Sequence, residues 1–323
     1  ERPILEIRQR SAVETASGTE PVSPLPAPPR VAALPPQRFV LLALDPATLG
    51  RVAWEKAIAD LGATAETFTR LGPVDVTILT DPPVRFAVAT RDPEEVKRAL
   101  ARAFVEVKPR DEFFGGRSRF IAEMERIFEL RLKPLGTGRN PEGEEVRQRD
   151  PNADRVLQAE FAARELAVEE RRLLDRSVGR LREAASAIAR PLVAVWATQG
   201  DPDTPGFVLS LLPDWVSNQD RIRFQGRPLG TSSQFERIWG ELAADGVTLV
   251  PWSRNPEALL EISSPTVSHS ARYRNRPSLA LGAESLTLFQ IAAERTGGEL
   301  VQSESELRVA AERAGGRHEL VYQ

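Results

Sequence analysis

Apolar positions along the chain change their period several times, and each change marks an element. Phe39-Val40-Leu41-Leu42-Ala43-Leu44 is an unbroken apolar run ending at Asp45-Pro46, as expected of a strand covered on both faces. Over 51–70 the spacing turns helical, with Trp54, Ile58 and Leu61 at i, i+4 and i+7. Residues 74–80 and 84–90 again read as strands. The short Asp81-Pro82-Pro83 link between them predicts an antiparallel hairpin, because a parallel return needs a longer crossover. Asp92-Pro93-Glu94-Glu95 opens a helix over 92–103, with an Asp N-cap, Pro at N1 and acid in the first turn. Residues 192–198 and 247–252 are two more buried-type strands. Further helices are predicted over 117–132, 153–189, 235–244, 286–295 and 304–314, with a short strand over 299–301. The 153–189 stretch would reach ~55 Å at 1.5 Å per residue, so it kinks or projects beyond the sheet. Gly297-Gly298 reads as a helix C-cap rather than a phosphate loop.

This order predicts an α/β fold, a doubly wound and mostly parallel sheet with one antiparallel edge strand, interrupted by helical and loop insertions at 105–152 and 201–233. Three buried strands should form its middle. Residues 1–37 carry a short strand at 3–8 and then a proline-dense stretch (Pro21, Pro24, Pro26, Pro28, Pro29, Pro35, Pro36) with the composition of an extended linker. The main domain is expected over 38–316. Residues 317–323 form a terminal strand that pairs with 1–14 or with another chain.

Composition narrows the chemistry. The 323 residues include no Cys and only two His, His269 and His318, so thiolate nucleophiles, disulfides and multi-His metal sites are out of reach. Forty-three basic against forty-six acidic residues give a formal charge of −3, which argues against a nucleic-acid binder. No window holds the ~18 apolar residues of a membrane span. Nothing resembles a signal peptide, and a chain opening at Glu1 is expected to be a processed form or an excised fragment. No phosphate-binding or dinucleotide-binding glycine motif, nucleophile elbow or Ser-x-x-Lys occurs. Asp45 follows a buried strand as a phosphatase nucleophile would, but Ala47 stands where a second acid is needed. Glu144-Glu145 and Glu169-Glu170 read as solvated charges.

Several segments together resemble the von Willebrand factor type A domain. They are the strand ending in Asp45, the hairpin and helix DPPVRFAVATRDPEEVKRAL, the helix-then-strand LAADGVTLVPWS, and the closing LFQIAAERTGGELVQSESELRVAAERAGGRHELVY. The last resembles the bacterial VWFA-related subfamily, whose members are typically exported. The resemblance therefore implies an extracytoplasmic location: periplasmic, cell-surface or secreted. It covers 38–104 and 180–322 without the insertions. It also implies a metal-ion-dependent adhesion site, built from Asp-x-Ser-x-Ser, a loop Thr and a later Asp around Mg²⁺. Here Asp45 matches, Ala47 and Leu49 replace both serines, Thr90 is the counterpart of the loop Thr, and Gln199 stands where the later acid belongs. The expectation is a degenerate, metal-free site with no cofactor, unless Asp201 or Asp203 substitutes by a register shift.

Asp45, Thr48, Thr90, Gln199, Asp201 and Asp203 are thus the candidates for a polar recognition surface, converging where strand order reverses. A plainer reading has Asp45 and Thr48 capping the next helix, with Asp201–Asp203 in a turn. Trp215, Arg221, Arg223 and Phe224 have the composition of interface anchors, or else of an excursion packing on its own domain. The expected function is a non-enzymatic protein–protein interaction, assembly or adhesion module. Its alternatives are a metal-dependent ligand-binding domain with a shifted site and a hydrolase on a doubly wound sheet.

Overall fold

Six apolar residues in a row are stable in a strand only if both its faces are covered, and the first strand meets that condition. A computed structural model describes residues 38–129, 151–199, 208–209, 211–213, 216–225, 231–253 and 287–316. Five strands, β1 (Phe39–Leu44), β2 (Val74–Ile78), β3 (Val84–Thr90), β4 (Leu192–Ala197) and β5 (Val247–Trp252), form one sheet in the order β3-β2-β1-β4-β5. β1 pairs in parallel with β2 and with β4, and β4 with β5. β3 is antiparallel to β2. A single parallel bridge from Val301 to Trp252 takes the place of the short strand expected over 299–301.

The helices among the described residues are α1 (Arg51–Ala63), α2 (Ala65–Leu71), α3 (Pro93–Glu106), α4 (Glu112–Glu129), α5 (Pro151–Ser186), α6 (Asn218–Gln225), α7 (Thr231–Ala244), α8 (Thr287–Thr296) and α9 (Glu304–Gly316). Alternate β1 side chains enter different cores. Val40, Leu42 and Leu44 join Trp54 and Leu61 of α1, Phe68 of α2, Leu100 of α3 and Leu307 of α9. Leu41 and Ala43 join Trp196 of β4, Val178 and Leu181 of α5, Trp239 of α7 and Phe289 of α8. Trp196 meets Phe289 edge-on at 5.4 Å between ring centroids. Helices therefore cover both faces, and the fold is α/β with a mostly parallel sheet and one antiparallel strand.

Local chemistry sets the boundaries. Asp92 caps α3, its carboxylate accepting from the Glu94 N–H at 2.9 Å, with Pro93 at the first helical position. The single helix expected over 51–70 is two, because Thr64 leaves helical geometry and its hydroxyl donates to the Asp60 carbonyl at 2.8 Å.

The 36 residues of α5 span ~54 Å, and they project. Its C-terminal half lies on the sheet. Its N-terminal half, through Val156, Ala159 and Leu166, builds a third core with Phe120 and Met124 of α4 and with Val208, Leu211, Val216 and Phe224. The two insertions pack on each other, where a partner surface was expected. Glu170, expected to be solvated, is buried against Arg117. Glu169 is exposed, as expected, and pairs with Arg119. No helix among the described residues is long and apolar enough to cross a membrane. The terminal strands at 3–8 and 319–322, Glu144-Glu145, His269 and His318 lie outside the described residues.

Candidate functional site

β1 and β4 are neighbours, yet the chain leaves them for opposite faces, through α1 on one side and towards α7 on the other. Their C-terminal ends border the crevice that this topology creates. The Asp45 N–H donates to the Ala197 carbonyl at 3.0 Å and the Thr198 N–H to the Trp252 carbonyl at 3.0 Å, so both loops start from fixed positions.

Asp45 is fully buried, and its Oδ1 accepts the Ala47 N–H at 2.9 Å in an Asx-type turn. Its other oxygen, Oδ2, has no hydrogen-bond partner among the described residues. The Thr48 and Thr198 hydroxyls lie 3.0 Å apart, and the Gln199 N–H reaches the Thr48 hydroxyl at 3.4 Å. Leu49 is buried in the first core. Gln199 is buried too, with neither amide atom paired among the described residues. Neither Asp45 nor Thr48 caps α1, as the plainer reading had it, because the N-cap is Gly50.

Thr90 is not in the crevice. It pairs with Val74, which pairs with Val40 near the start of β1. The hairpin reverses the chain, so Thr90 stands at the other end of the sheet from Asp45, its hydroxyl donating to Glu95 at 2.5 Å. Asp201, Asp203 and Trp215 lie outside the described residues. Phe224 fills the third core rather than facing a partner. Arg221 is turned inward, donating to the Val216 carbonyl at 3.2 Å and the Pro213 carbonyl at 2.7 Å. Of these expected anchors, Arg223 alone is exposed among the described residues, and it pairs with Asp220 at 3.3 Å.

Three side chains that the sequence reading passed over belong to this end of the sheet. Ser177 and Arg180, one turn apart on α5, approach Asp45 from the second core, and Arg180 donates to the Leu79 carbonyl at 3.3 Å. A serine between Leu174, Val178 and Leu181 breaks an apolar stripe, which is a legible signal. Asp111 arrives on the loop before α4. The Arg110 and Glu112 N–H groups donate to the Pro46 and Ala47 carbonyls at 2.7 and 2.9 Å, and the Asp111 carboxylate lies 3.1 Å from where a Cβ on Gly50 would stand. Asp111 holds a positive φ of 50°, which Asp tolerates better than most residues.

The donors described here do not suit a divalent cation. Ala47 and Leu49 offer no side-chain oxygen, Thr90 is remote, Gln199 is neutral, and Asp45 Oδ1 and the Thr48 hydroxyl are committed to internal hydrogen bonds. No group of three or more acidic or histidine side chains gathers among the described residues.

Burial pushes the Asp45 carboxyl above the ordinary carboxylate range. Ser177 beside it, the Ala47 N–H and the Arg180 charge oppose it only in part. The folded chain therefore keeps this proton to a higher pH than the unfolded chain, whose value is 3.8. Stability falls as pH rises from that value through the raised one. Asp45→Asn keeps an acceptor for Ala47 and removes the titration. Its melting temperature relative to wild type is expected to improve from about pH 4 towards neutrality. Asp75 and Asp111 shift the same way, also through burial, so the difference curve is what isolates Asp45. A difference that stays flat with pH would overturn the assignment.

The chain matches no protein-family model, no curated protein and no solved structure.

Proposed function

We propose that this chain is a non-enzymatic module that works by binding another protein, in an extracytoplasmic assembly, without a metal. One observation carries the reading: the strand ends where this architecture would hold its chemistry are closed. Asp45, Thr48, Thr198 and Gln199 are all buried, and Asp45 Oδ1 and the Thr48 and Thr198 hydroxyls serve the loops themselves. The resemblance to von Willebrand factor type A domains and the sheet with one antiparallel strand support the same reading.

The test uses cross-linked cells of the native host and purified chain in parallel. Partners are expected to co-purify equally with wild type and Asp45→Asn, with or without chelator. Thermal unfolding should not shift in millimolar Mg²⁺, Mn²⁺ or Ca²⁺, because site-specific binding would stabilise by RT ln(1+[L]/Kd). A metal-dependent rise in melting temperature that Asp45→Asn abolishes would establish the metal-dependent alternative. Turnover lost in the same variant would establish a hydrolase. Absence of any co-purifying protein would overturn the binding reading altogether.

A further inference from the structure

The outer face of α5 carries an apolar stripe that a solvent-facing helix does not need. At ~100° per residue, the buried positions Val156, Ala159, Leu166 and Leu173 fall on one side, and Leu157, Phe161, Val168 and Arg172 on the opposite one. Leu157, Phe161 and Val168 remain 41%, 57% and 44% exposed. Single exposed apolar residues are ordinary, but three in helical register on one face are not. Phe161 and Val168, with Arg164, Glu165, Arg172 and Arg176, line a shallow groove along the helix.

The charges on this face point to its occupant. Arg164, Glu169 and Arg176 are engaged by Glu160, Arg119 and Glu112. Glu165 and Arg172, two turns apart on the stripe, engage no charged group among the described residues. Two unpaired charges of opposite sign on one stripe complement the same stripe turned end for end. Self-complementarity of this kind is what an isologous two-fold contact requires.

We propose that two copies of this chain associate through this face, their α5 helices packing antiparallel about a two-fold axis beside Val168. The axis sets Glu165 of each copy opposite Arg172 of the other, so the ion pair forms twice. The two Val168 side chains meet near the axis, and Phe161 of each copy lies against the aliphatic stem of the other's Arg176. Three apolar residues a side make a small interface, so the association is reversible and in the micromolar range. It is independent of the partner-binding reading, since purified chain alone decides it.

Sedimentation velocity of the full chain from about 5 to 500 µM, the range that a small interface calls for, is the measurement. A concentration-dependent monomer–dimer equilibrium is expected, and Phe161→Glu should leave only monomer. Glu165→Arg and Arg172→Glu, each setting like charges opposite one another, should weaken association about tenfold. Combined, the two reversals restore the pairing and should return the dissociation constant to within about threefold of wild type. All three positions are exposed, so melting curves of the variants should overlay the parent. A chain that stays monomeric throughout overturns the proposal. So does a dimer indifferent to Phe161→Glu, or a double reversal no better than the single ones.

Discussion

Adding one methyl group at Gly298 is expected to destabilise the chain by more than ~3 kcal/mol, while the same methyl at neighbouring Gly297 costs only ~1 kcal/mol. The two glycines end α8 together in a Schellman motif. The Gly298 N–H bonds to the Ala293 carbonyl at 2.8 Å, the Gly297 N–H to the Glu294 carbonyl at 3.3 Å, and Gly297 sits at a φ of +76°. Gly297 has open space where a Cβ would go, so its constraint is conformational and modest. Gly298 has none. Its Cβ would stand 1.8 Å from the Leu249 carbonyl oxygen and 2.7 Å from its carbon, both backbone atoms of β5. A strand covered on both sides cannot retreat by an ångström without disturbing the ladder to β4.

Gly72 repeats the arrangement across the sheet. A methyl there would meet the Arg38 carbonyl oxygen at 1.7 Å, where the chain leaves α2 and crosses the start of β1. Gly72→Ala should match Gly298→Ala in cost. Urea unfolding midpoints of the three single variants provide the comparison. A Gly298→Ala or Gly72→Ala protein within ~1 kcal/mol of wild type would show that the helix-to-strand returns are looser than drawn.

Strands and helices were legible because each rests on local pattern. A strand covered on both faces must be apolar throughout, so Leu41 and Leu42 betray β1 without knowledge of their neighbours. The Asp92-Pro93 start of α3 is equally local. Thr90 shows where local reading stops. Its loop lies close in sequence to the hairpin, but the antiparallel strand carries it to the far end of the sheet, a consequence of the hairpin that a segment-by-segment match does not see. The third core is hidden for a related reason. Phe120, Val156, Val216 and Phe224 come from separate segments, and no single period links them. Asp111 could have been suspected, since an acidic residue before Glu112-Phe113-Phe114 is an N-cap signal, but its approach to Gly50 is a tertiary fact.

Removing either member of the Arg117–Glu170 pair is expected to cost about 3–5 kcal/mol, more than any surface ion pair in this chain would. Arg117 Nε lies 2.6 Å from Glu170 Oε1, and both side chains are buried between α4 and α5. The guanidinium also stands over the Phe113 ring, 4.5 Å from its centroid. Glu170→Ala would take the carboxylate away from a buried arginine that keeps its charge. Arg117→Ala would take the guanidinium away from that buried carboxylate. Replacing both partners with apolar residues of similar length, Arg117→Met with Glu170→Leu, should cost less than either single change, because both buried charges are removed together. The four proteins form a double-mutant cycle read by chemical denaturation. Additive losses, or singles costing under ~1 kcal/mol, would mean that the pair does not act as a unit. The outcome reaches beyond stability, since this contact holds α4 against the projecting half of α5. That half carries the exposed stripe through which two copies are proposed to meet, so apolar replacement that preserves packing should preserve self-association while Glu170→Ala weakens it.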